Sequence, residues 1–203
     1  MILGKSPIIP ILVVHDSSWI RDLASSLVAC GFPLIEITLR TQQSWDAVEK
    51  VKDLPGLDVG VGSVTNVNDL KRAHEIGLKF AVSPGINDSL LEVAQELDIP
   101  YLPGVATPSE MIRAMELGID LVKWFPAETL GGISALRALS APFPNLRFIP
   151  TGGITGELSA DYLRESNVKA IGGSWMFPKE LMVNKDLAGL EKCFKEALKG
   201  VEK

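Results

Sequence analysis

The sequence has few of the residues from which metal and redox sites are built. It contains two cysteines and two histidines. Cys30 and Cys193 lie far apart and have neither a metal-binding nor a redox-motif spacing. His15 and His74 are also distant and form no H-x-x-x-H pattern. We therefore expect no metal and no cofactor, and the sparse cysteines suggest a reducing compartment.

The chain also lacks long apolar runs and an excess of positive charge. No stretch approaches the roughly 18 apolar residues needed to span a bilayer, and the first residues show no basic segment followed by a long apolar one. The net charge of -5 argues against nucleic acid or an anionic membrane as a partner, but it allows a local anion site. With 46% hydrophobic residues, the sequence predicts a soluble, cytoplasmic, globular protein with a single domain over residues 1–203.

Short β-rich segments alternate with helical patterns along the chain. Such alternation predicts a parallel sheet, and eight units favour a (β/α)8 TIM barrel, although 203 residues is short for that fold. A doubly wound open sheet is the alternative. The predicted strands cover residues 8–14, 34–38, 59–62, 80–83, 101–102, 120–126, 147–150 and 168–171. The predicted helices cover residues 17–30, 45–52, 66–76, 89–97, 107–117, 133–139, 159–166 and 187–198.

A single amine interrupts one of the apolar strands. Lys123 lies within residues 120–126, where every close neighbour except Asp120 is apolar. An ammonium group is costly to bury, and desolvation favours the neutral amine, which attacks a carbonyl carbon to form a Schiff base. Two ordinary roles remain open: the side chain could reach solvent from the strand end, or it could pair with a carboxylate.

Polar side chains cluster where the predicted strands end, and active sites of barrels lie at those ends. Glu36, Thr38 and Arg40 alternate along the second strand, so their side chains share one face. If that face is the barrel interior, Glu36 is either a general acid/base beside Lys123 or its structural ion-pair partner. Two further residues at strand ends are candidates for substrate contact, Ser63 and Pro84.

Paired glycines follow the last two predicted strands, in Thr151-Gly152-Gly153 and Gly172-Gly173-Ser174. Glycine lets backbone N–H groups approach an anion closely, and the loops after the last two strands are the usual phosphate site of barrels. The sequence therefore predicts that these two loops bind a phosphate group. Tight turns are the alternative explanation.

Several of these segments together resemble the 2-keto-3-deoxy-6-phosphogluconate (KDPG) aldolase family, which also cleaves 4-hydroxy-2-oxoglutarate (KHG). The similarity runs from about Pro7 to the final helix. Its two motifs, E-x-T-x-R and K-x-F-P-A-E, are specific in combination. The segments that carry it are residues 34–41, 82–85, 122–128, 143–154 and 171–175.

The resemblance implies a class I, metal-independent aldolase that assembles as a homotrimer. Its substrates would be a phosphorylated 2-keto-3-deoxy sugar acid and KHG, with pyruvate as the shared product. Lys123 would be the Schiff-base lysine and Glu36 the general acid/base. Arg40, Thr151 and the Gly152-Gly153 and Gly172-Gly173-Ser174 loops would hold the substrate's carboxylate and phosphate ends.

Two positions depart from the family pattern. Ser63 stands where threonine is usual, which keeps the hydroxyl, and Trp124 stands where phenylalanine is common. By strand alternation Trp124 points away from Lys123, so we expect a change of packing only.

Two other functions remain open from the sequence alone. One is a phosphosugar isomerase or decarboxylase that uses Lys123 only as a charge. The other is a trimeric scaffold or anion-binding module, which the charged Glu36, Arg40 and Lys123 set argues against. His15 follows the first strand, so it either borders the site or is a solvated loop residue.

Overall fold

Parallel strands joined by helices make up the computed structural model, which describes residues 5–201. The predicted absence of a leader segment falls partly on residues 1–4, outside the described residues. The strands are β1 Ile8–Leu12, β2 Leu34–Thr38, β3 Asp58–Gly62, β4 Phe80–Val82, β5 Tyr101–Leu102, β6 Gly104–Val105, β7 Leu121–Trp124, β8 Arg147–Pro150 and β9 Ile171–Gly173. The helices are α1 Ile20–Ala29, α2 Ser44–Val51, α3 Val67–Glu75, α4 Asp88–Glu96, α5 Pro108–Glu116, α6 Gly132–Ser140, α7 Gly156–Leu163, α8 Lys179–Asn184 and α9 Leu187–Lys199.

The strands form two parallel sheets within one curled α/β domain. One sheet has six strands in the order β5-β4-β3-β2-β1-β9, and the other has three in the order β6-β7-β8. Only Pro103 separates β5 from β6. Two isolated parallel bridges, Phe148 with Val168 and Thr151 with Gly172, connect the chain around β8 to the chain around β9. The predicted parallel α/β fold is confirmed as a curled half-barrel of strands. The smaller sheet is connected to the larger one at both edges, through Pro103 between β5 and β6 and through the bridges between the β8 and β9 regions.

Two hydrophobic clusters lie on the two faces of the curled sheet. The smaller one, the strand-only cluster, contains no helix residue; its members lie on strands, apart from Ala170, which directly precedes β9. They are Ile9, Leu34, Phe80, Val82, Leu102, Leu121, Ile149 and Ala170. The larger cluster packs strand residues against the helices. Leu34 and Leu121 lie two residues before Glu36 and Lys123 on their strands, and alternate residues of a strand share a face. The strand-only cluster is therefore the apolar floor beneath Glu36 and Lys123.

Helix starts follow the local signals in the sequence. Thr107 begins α5 with a capping box, in which its hydroxyl accepts from the Glu110 N–H while the Glu110 carboxylate accepts from the Thr107 N–H, and Pro108 occupies the first turn. This start is confirmed as predicted. Within residues 5–201, no helix is both long and apolar enough to cross a membrane.

Several elements differ from the sequence-based expectation. Strand β1 ends at Leu12 instead of residue 14, α1 begins at Ile20 instead of residue 17, β7 is shorter than the predicted residues 120–126, and β6 was not predicted. Helix α7 begins at Gly156 instead of residue 159, because Thr155 caps it by accepting from the Leu158 N–H. The last strand begins at Ile171 instead of residue 168, since Val168 makes only an isolated bridge. Helix α8 was not predicted. It has only six residues and none is fully buried, although Leu181 and Met182 pack against the core from partly buried positions.

A close contact within the floor gives a testable consequence. A Cβ atom on Gly60 would overlap the ring of Phe80. Gly60→Ala should therefore destabilise the fold by about 1–3 kcal/mol, the usual cost of overpacking a core. Urea denaturation measures this change, and Phe80→Leu in the same chain should restore part of the loss.

Gly85→Ala is the matched control, since a Cβ atom there would meet nothing within 4 Å. It should change the free energy of unfolding by less than about 0.5 kcal/mol. Equal effects of the two substitutions would contradict the proposed packing.

Candidate active site

A lysine from the three-stranded sheet and a glutamate from the six-stranded sheet meet above the floor. Lys123 on β7 and Glu36 on β2 have side chains that are only 4% and 3% exposed, and Lys123 Nζ lies 3.5 Å from Glu36 Oε1. The same Nζ lies 5.1 Å from the centre of the Phe125 ring. Among the described residues, Glu36 Oε1 has no hydrogen-bond partner. An amine and an acceptor thus lie side by side, largely shielded from water.

A glycine makes room for the Glu36 carboxylate. Strand β3 pairs with β2 so that Gly60 is opposite Glu36 and Gly62 is opposite Thr38. A Cβ atom on Gly62 would overlap Glu36 Oε1. Any side chain at position 62 would therefore displace the carboxylate from Lys123.

A cavity of about 220 Å³ opens next to the pair. Its polar lining consists of one amine, one guanidinium, one threonine and the two glycine loops, and its apolar lining comes from nearby hydrophobic side chains. The predicted site residues that line it are Arg40, Lys123, Thr151, Gly152, Gly153, Gly172, Gly173 and Ser174. The other lining residues are Ile11, Phe125, Ile154 and Trp175.

The guanidinium at the cavity wall is held by a neighbouring hydroxyl. Arg40 Nε donates to Ser63 Oγ at 2.8 Å. Ser63 has a φ of 61°, in the left-handed region that residues with a side chain seldom adopt. Such a backbone costs about 1–3 kcal/mol and is often found at functional sites. Ser63 thus orients Arg40 without lining the cavity itself.

The first glycine loop is docked onto the segment that follows the lysine strand. The N–H groups of Ala127 and Glu128 donate to the carbonyls of Thr151 and Gly152 at 2.8 Å and 3.0 Å. Gly152 and Gly153 have φ values of 104° and 80°, a conformation that favours glycine. A Cβ atom on Gly153 would also lie 2.7 Å from Glu128 Cβ. The loop therefore requires both glycines.

A buried tyrosine anchors Glu128. The hydroxyl of Tyr162 on α7 donates to Glu128 Oε1, and Tyr162 is fully buried. Burial raises the pKa of Tyr162, and the neighbouring Glu128 carboxylate raises it further. The phenol therefore stays protonated and continues to donate. Sequence reasoning missed Tyr162 because its position relative to Glu128 depends on how α7 packs.

The second glycine loop is covered by an indole ring. A Cβ atom on Gly173 would overlap the ring of Trp175, and one on Gly172 would meet Ile11 Cδ1 at 2.8 Å. Trp175 lines the cavity, and its Nε1 is buried without a hydrogen-bond partner in residues 5–201. The glycines here make space for neighbouring side chains as well as exposing backbone.

Four predicted residues lie outside the cavity walls. Glu36 and Ser63 contact wall residues, as described above. The hydroxyl of Thr38 is buried and donates to the Leu12 carbonyl at 3.3 Å. Pro84 follows β4, and its carbonyl leaves no space for a Cβ atom on Gly104. Thr38 and Pro84 thus belong to the structure around the cavity.

Two further expectations can be compared with the structure. Trp124 is fully buried in the helix-facing cluster, on the side of β7 away from Lys123, as strand alternation predicted. His15 is exposed and borders a neighbouring, larger cavity. Across residues 5–201, no group of three or more His, Cys, Asp or Glu side chains is placed to hold a metal ion.

A buried amine lies beside a carboxylate, next to a cavity lined by a guanidinium and two glycine loops. This combination is typical of an enzyme site for a small carbonyl compound. A sequence model of the family described as KDPG and KHG aldolase matches residues 1–193. The chain is also 40% identical over 202 residues to the KHG/KDPG aldolase of Escherichia coli K12, covering 99% of this chain and 95% of that protein. The chain belongs to the KDPG/KHG aldolase family, whose members are carbon–carbon lyases.

Two solved structures are similar along almost their whole length. The KDPG aldolase of Zymomonas mobilis ZM4, determined with 3-phosphoglycerate, has a TM-score of 0.91 at 37% identity and covers 97% of this chain and 93% of that one. The KDPG aldolase of Legionella pneumophila has a TM-score of 0.92 at 34% identity and covers 97% and 96% of the two chains. That structure holds pyruvate captured at low pH as a covalent carbinolamine intermediate.

The contact between Tyr162 and Glu128 can be tested through stability. Tyr162→Phe removes a hydrogen bond to a charged group, so it should lower the free energy of unfolding by about 1.5–3 kcal/mol in urea denaturation. Tyr101→Phe is the matched control. The Tyr101 hydroxyl is buried, and its polar neighbour Ser83 is not in hydrogen-bonding geometry.

Loss of the Tyr101 hydroxyl should therefore be neutral or slightly stabilising. If Tyr162→Phe were as mild as Tyr101→Phe, the phenol would not be what anchors Glu128.

Proposed function

We propose that the protein cleaves KDPG to pyruvate and glyceraldehyde 3-phosphate, and KHG to pyruvate and glyoxylate, through a Schiff base on Lys123. The observation that carries this proposal is the buried Lys123–Glu36 pair, which opens onto a cavity walled by Arg40 and two glycine loops. The names of the E. coli and L. pneumophila relatives, and the carbinolamine seen in the latter, support the same chemistry.

The amine of Lys123 provides the nucleophile. It attacks the C2 ketone of the substrate to give a carbinolamine, which loses water to form an iminium. The iminium accepts the electron pair of the C3–C4 bond when that bond breaks. The product at this stage is the enamine of pyruvate, still attached to Nζ.

Glu36 provides the proton transfers. Its carboxylate removes the proton from the C4 hydroxyl as the C3–C4 bond breaks, so the aldehyde forms and leaves. A proton then returns to C3 of the enamine, and water releases pyruvate and the free amine. The position of Glu36 Oε1, 3.5 Å from Nζ and without another donor among the described residues, suits one carboxylate acting at several steps.

The two ends of the substrate carry negative charge, and we assign each to a different part of the cavity. The guanidinium of Arg40, held by Ser63, suits the carboxylate next to the ketone. The loops with Thr151, Gly152 and Gly153, and with Gly172, Gly173 and Ser174, suit the phosphate through backbone N–H groups and hydroxyls. The 3-phosphoglycerate in the Z. mobilis structure, like KDPG, carries both a carboxylate and a phosphate, although on a three-carbon chain.

The resemblance to the family supports three further proposals about architecture. We propose that the two sheets close into one eight-stranded (β/α)8 barrel and that residues 1–203 form this one domain. Closure would count β5 and β6 as one strand interrupted at Pro103, and the isolated bridges between the β8 and β9 regions would complete the ring.

We propose that the assembly is a homotrimer. Ile112 and Met115 lie three residues apart on α5 and are 51% and 44% exposed, which leaves apolar surface suited to contact between copies. The cytoplasm is the compartment we propose, since Cys30 and Cys193 are free thiols.

Pyruvate trapping tests the proposed chemistry directly. Incubation with pyruvate and sodium borohydride should add one reduced pyruvyl group to the peptide that holds Lys123, detectable by peptide mass mapping. Lys123→Met should take up no label and lose nearly all turnover. Turnover without labelling would instead favour an enzyme that uses Lys123 only as a charge.

Glu36→Gln separates proton transfer from binding in the same assay. It should still be labelled, more slowly than the native protein, because the amine remains. Its turnover of KDPG should fall about 100- to 10,000-fold, the usual cost of removing a general base. Near-normal turnover would make Glu36 only a structural partner of Lys123.

A substitution that adds a negative charge to the second glycine loop tests whether the substrate's phosphate binds there. Ser174→Asp puts a carboxylate where we place the phosphate, so it should raise KM for KDPG by about tenfold or more. KM for KHG should rise much less, because KHG has no phosphate and its second carboxylate is bonded directly to C4, short of the phosphate position. Ser174→Asn is the uncharged control. Equal losses on both substrates would place the phosphate elsewhere.

A further inference from the structure

A second cavity adjoins the one that holds Lys123. Its volume is about 610 Å³, against about 220 Å³ for the first. Ile11 and Ser174 line both cavities. A substrate that is bound covalently at Lys123 and extends toward Ser174 therefore has the larger cavity directly ahead of it.

The larger cavity has mainly apolar walls. On one side are Val13 and Trp19, which follow β1, and on the other are Phe177 and Met182, from the turn after β9 and from α8. Ligand pockets in proteins commonly have volumes of about 300–1,000 Å³ and are lined mostly by apolar and aromatic side chains. Its size and lining thus suit a small molecule with an apolar body.

Helix α8 forms the outer wall and packs against the core through the partly buried Leu181 and Met182. None of the residues from Lys179 to Asn184 is fully buried, yet Met182 and Val183 line the cavity. The residue after the helix is Lys185, whose ammonium lies 2.7 Å from an Asp16 carboxylate oxygen and donates to Ser18 Oγ at 3.0 Å. The Lys185–Asp16 ion pair therefore holds the C-terminal end of this wall, in addition to the packing of Leu181 and Met182 on the core.

The charges around the cavity favour a neutral occupant. Lys185 and Asp16 neutralise one another, and the remaining basic side chains, His15 and Lys179, are exposed at the rim. A second phosphate site would need buried donors, whereas the wall residues behind the rim are apolar.

We propose that this cavity binds the apolar tail of an unphosphorylated aldehyde that the enzyme joins to pyruvate. This inference rests on the proposed function and names a further class of substrate. Pyruvate on Lys123 loses a C3 proton to become the enamine, and C3 then bonds to the aldehyde carbon. The aldehyde oxygen takes up a proton to become a 4-hydroxyl group. Water releases the product, so pyruvate and the aldehyde give one 4-hydroxy-2-oxo acid with no atom lost.

The test is a series of straight-chain aldehydes from propanal to heptanal, each with pyruvate, and with the product measured by mass spectrometry. In the native enzyme kcat/KM should rise with each added methylene, by about fourfold where that group is fully buried. Met182→Trp fills the cavity and should flatten this rise. Met182→Ala enlarges it and should keep the rise and extend it to longer aldehydes.

Glu180→Ala is the control, because Glu180 is exposed on the same helix and does not line the cavity. It should keep the native dependence on chain length. All three variants should cleave KDPG within about twofold of the native rate, and circular dichroism checks their folding.

A flat chain-length dependence in a native enzyme that cleaves KDPG and traps pyruvate normally would overturn this inference alone. Absence of both trapping and cleavage would overturn the proposed function and this inference with it. A change of oligomeric mass in Met182→Trp, measured by light scattering, would show that the cavity is a contact between copies and would also overturn the inference.

Discussion

The ion pair between Lys123 and Glu36 is the constraint on which the rest of the site depends. Both side chains are almost completely removed from water, and an unpaired buried charge would cost several kcal/mol. Each charged group is therefore stabilised by the other. The pair forms only if β2 and β7 hold the two side chains at the same height above the apolar floor. The floor residues Leu34 and Leu121 set that height, since each precedes its charged neighbour by two positions on the same strand face.

Glycine makes this arrangement sterically possible. Gly60 leaves room for the ring of Phe80 in the floor, and Gly62 leaves room for the carboxylate of Glu36 directly above. Strand β3 thus has no side chain at the two positions where its neighbours need space. Glycine in the interior of a strand weakens that strand. The two glycines of β3 therefore reduce the stability of the sheet, but they allow the Glu36 carboxylate to lie beside Lys123.

One segment connects the lysine to the proposed phosphate loop. The chain leaves β7 through Phe125, whose ring lies beside Nζ, and continues to Glu128, whose backbone holds the loop after β8. Tyr162 then anchors the Glu128 side chain from α7. The amine and the loop are therefore positioned by the same few residues, so the two ends of a bound substrate would be held at a fixed separation.

Local sequence signals were enough for the alternating α/β order, for the capped start of α5 at Thr107, and for most of the residues that line the cavity. They succeeded because strand alternation, helix capping and paired glycines act over two to four residues. The aldolase family also followed from short motifs. Sequence patterns alone did not indicate that Thr38 would bond to the Leu12 carbonyl, that Tyr162 would reach Glu128, or that α8 would stand over a second cavity. Those features join residues from different elements, and only the packing of the elements against one another decides such distances.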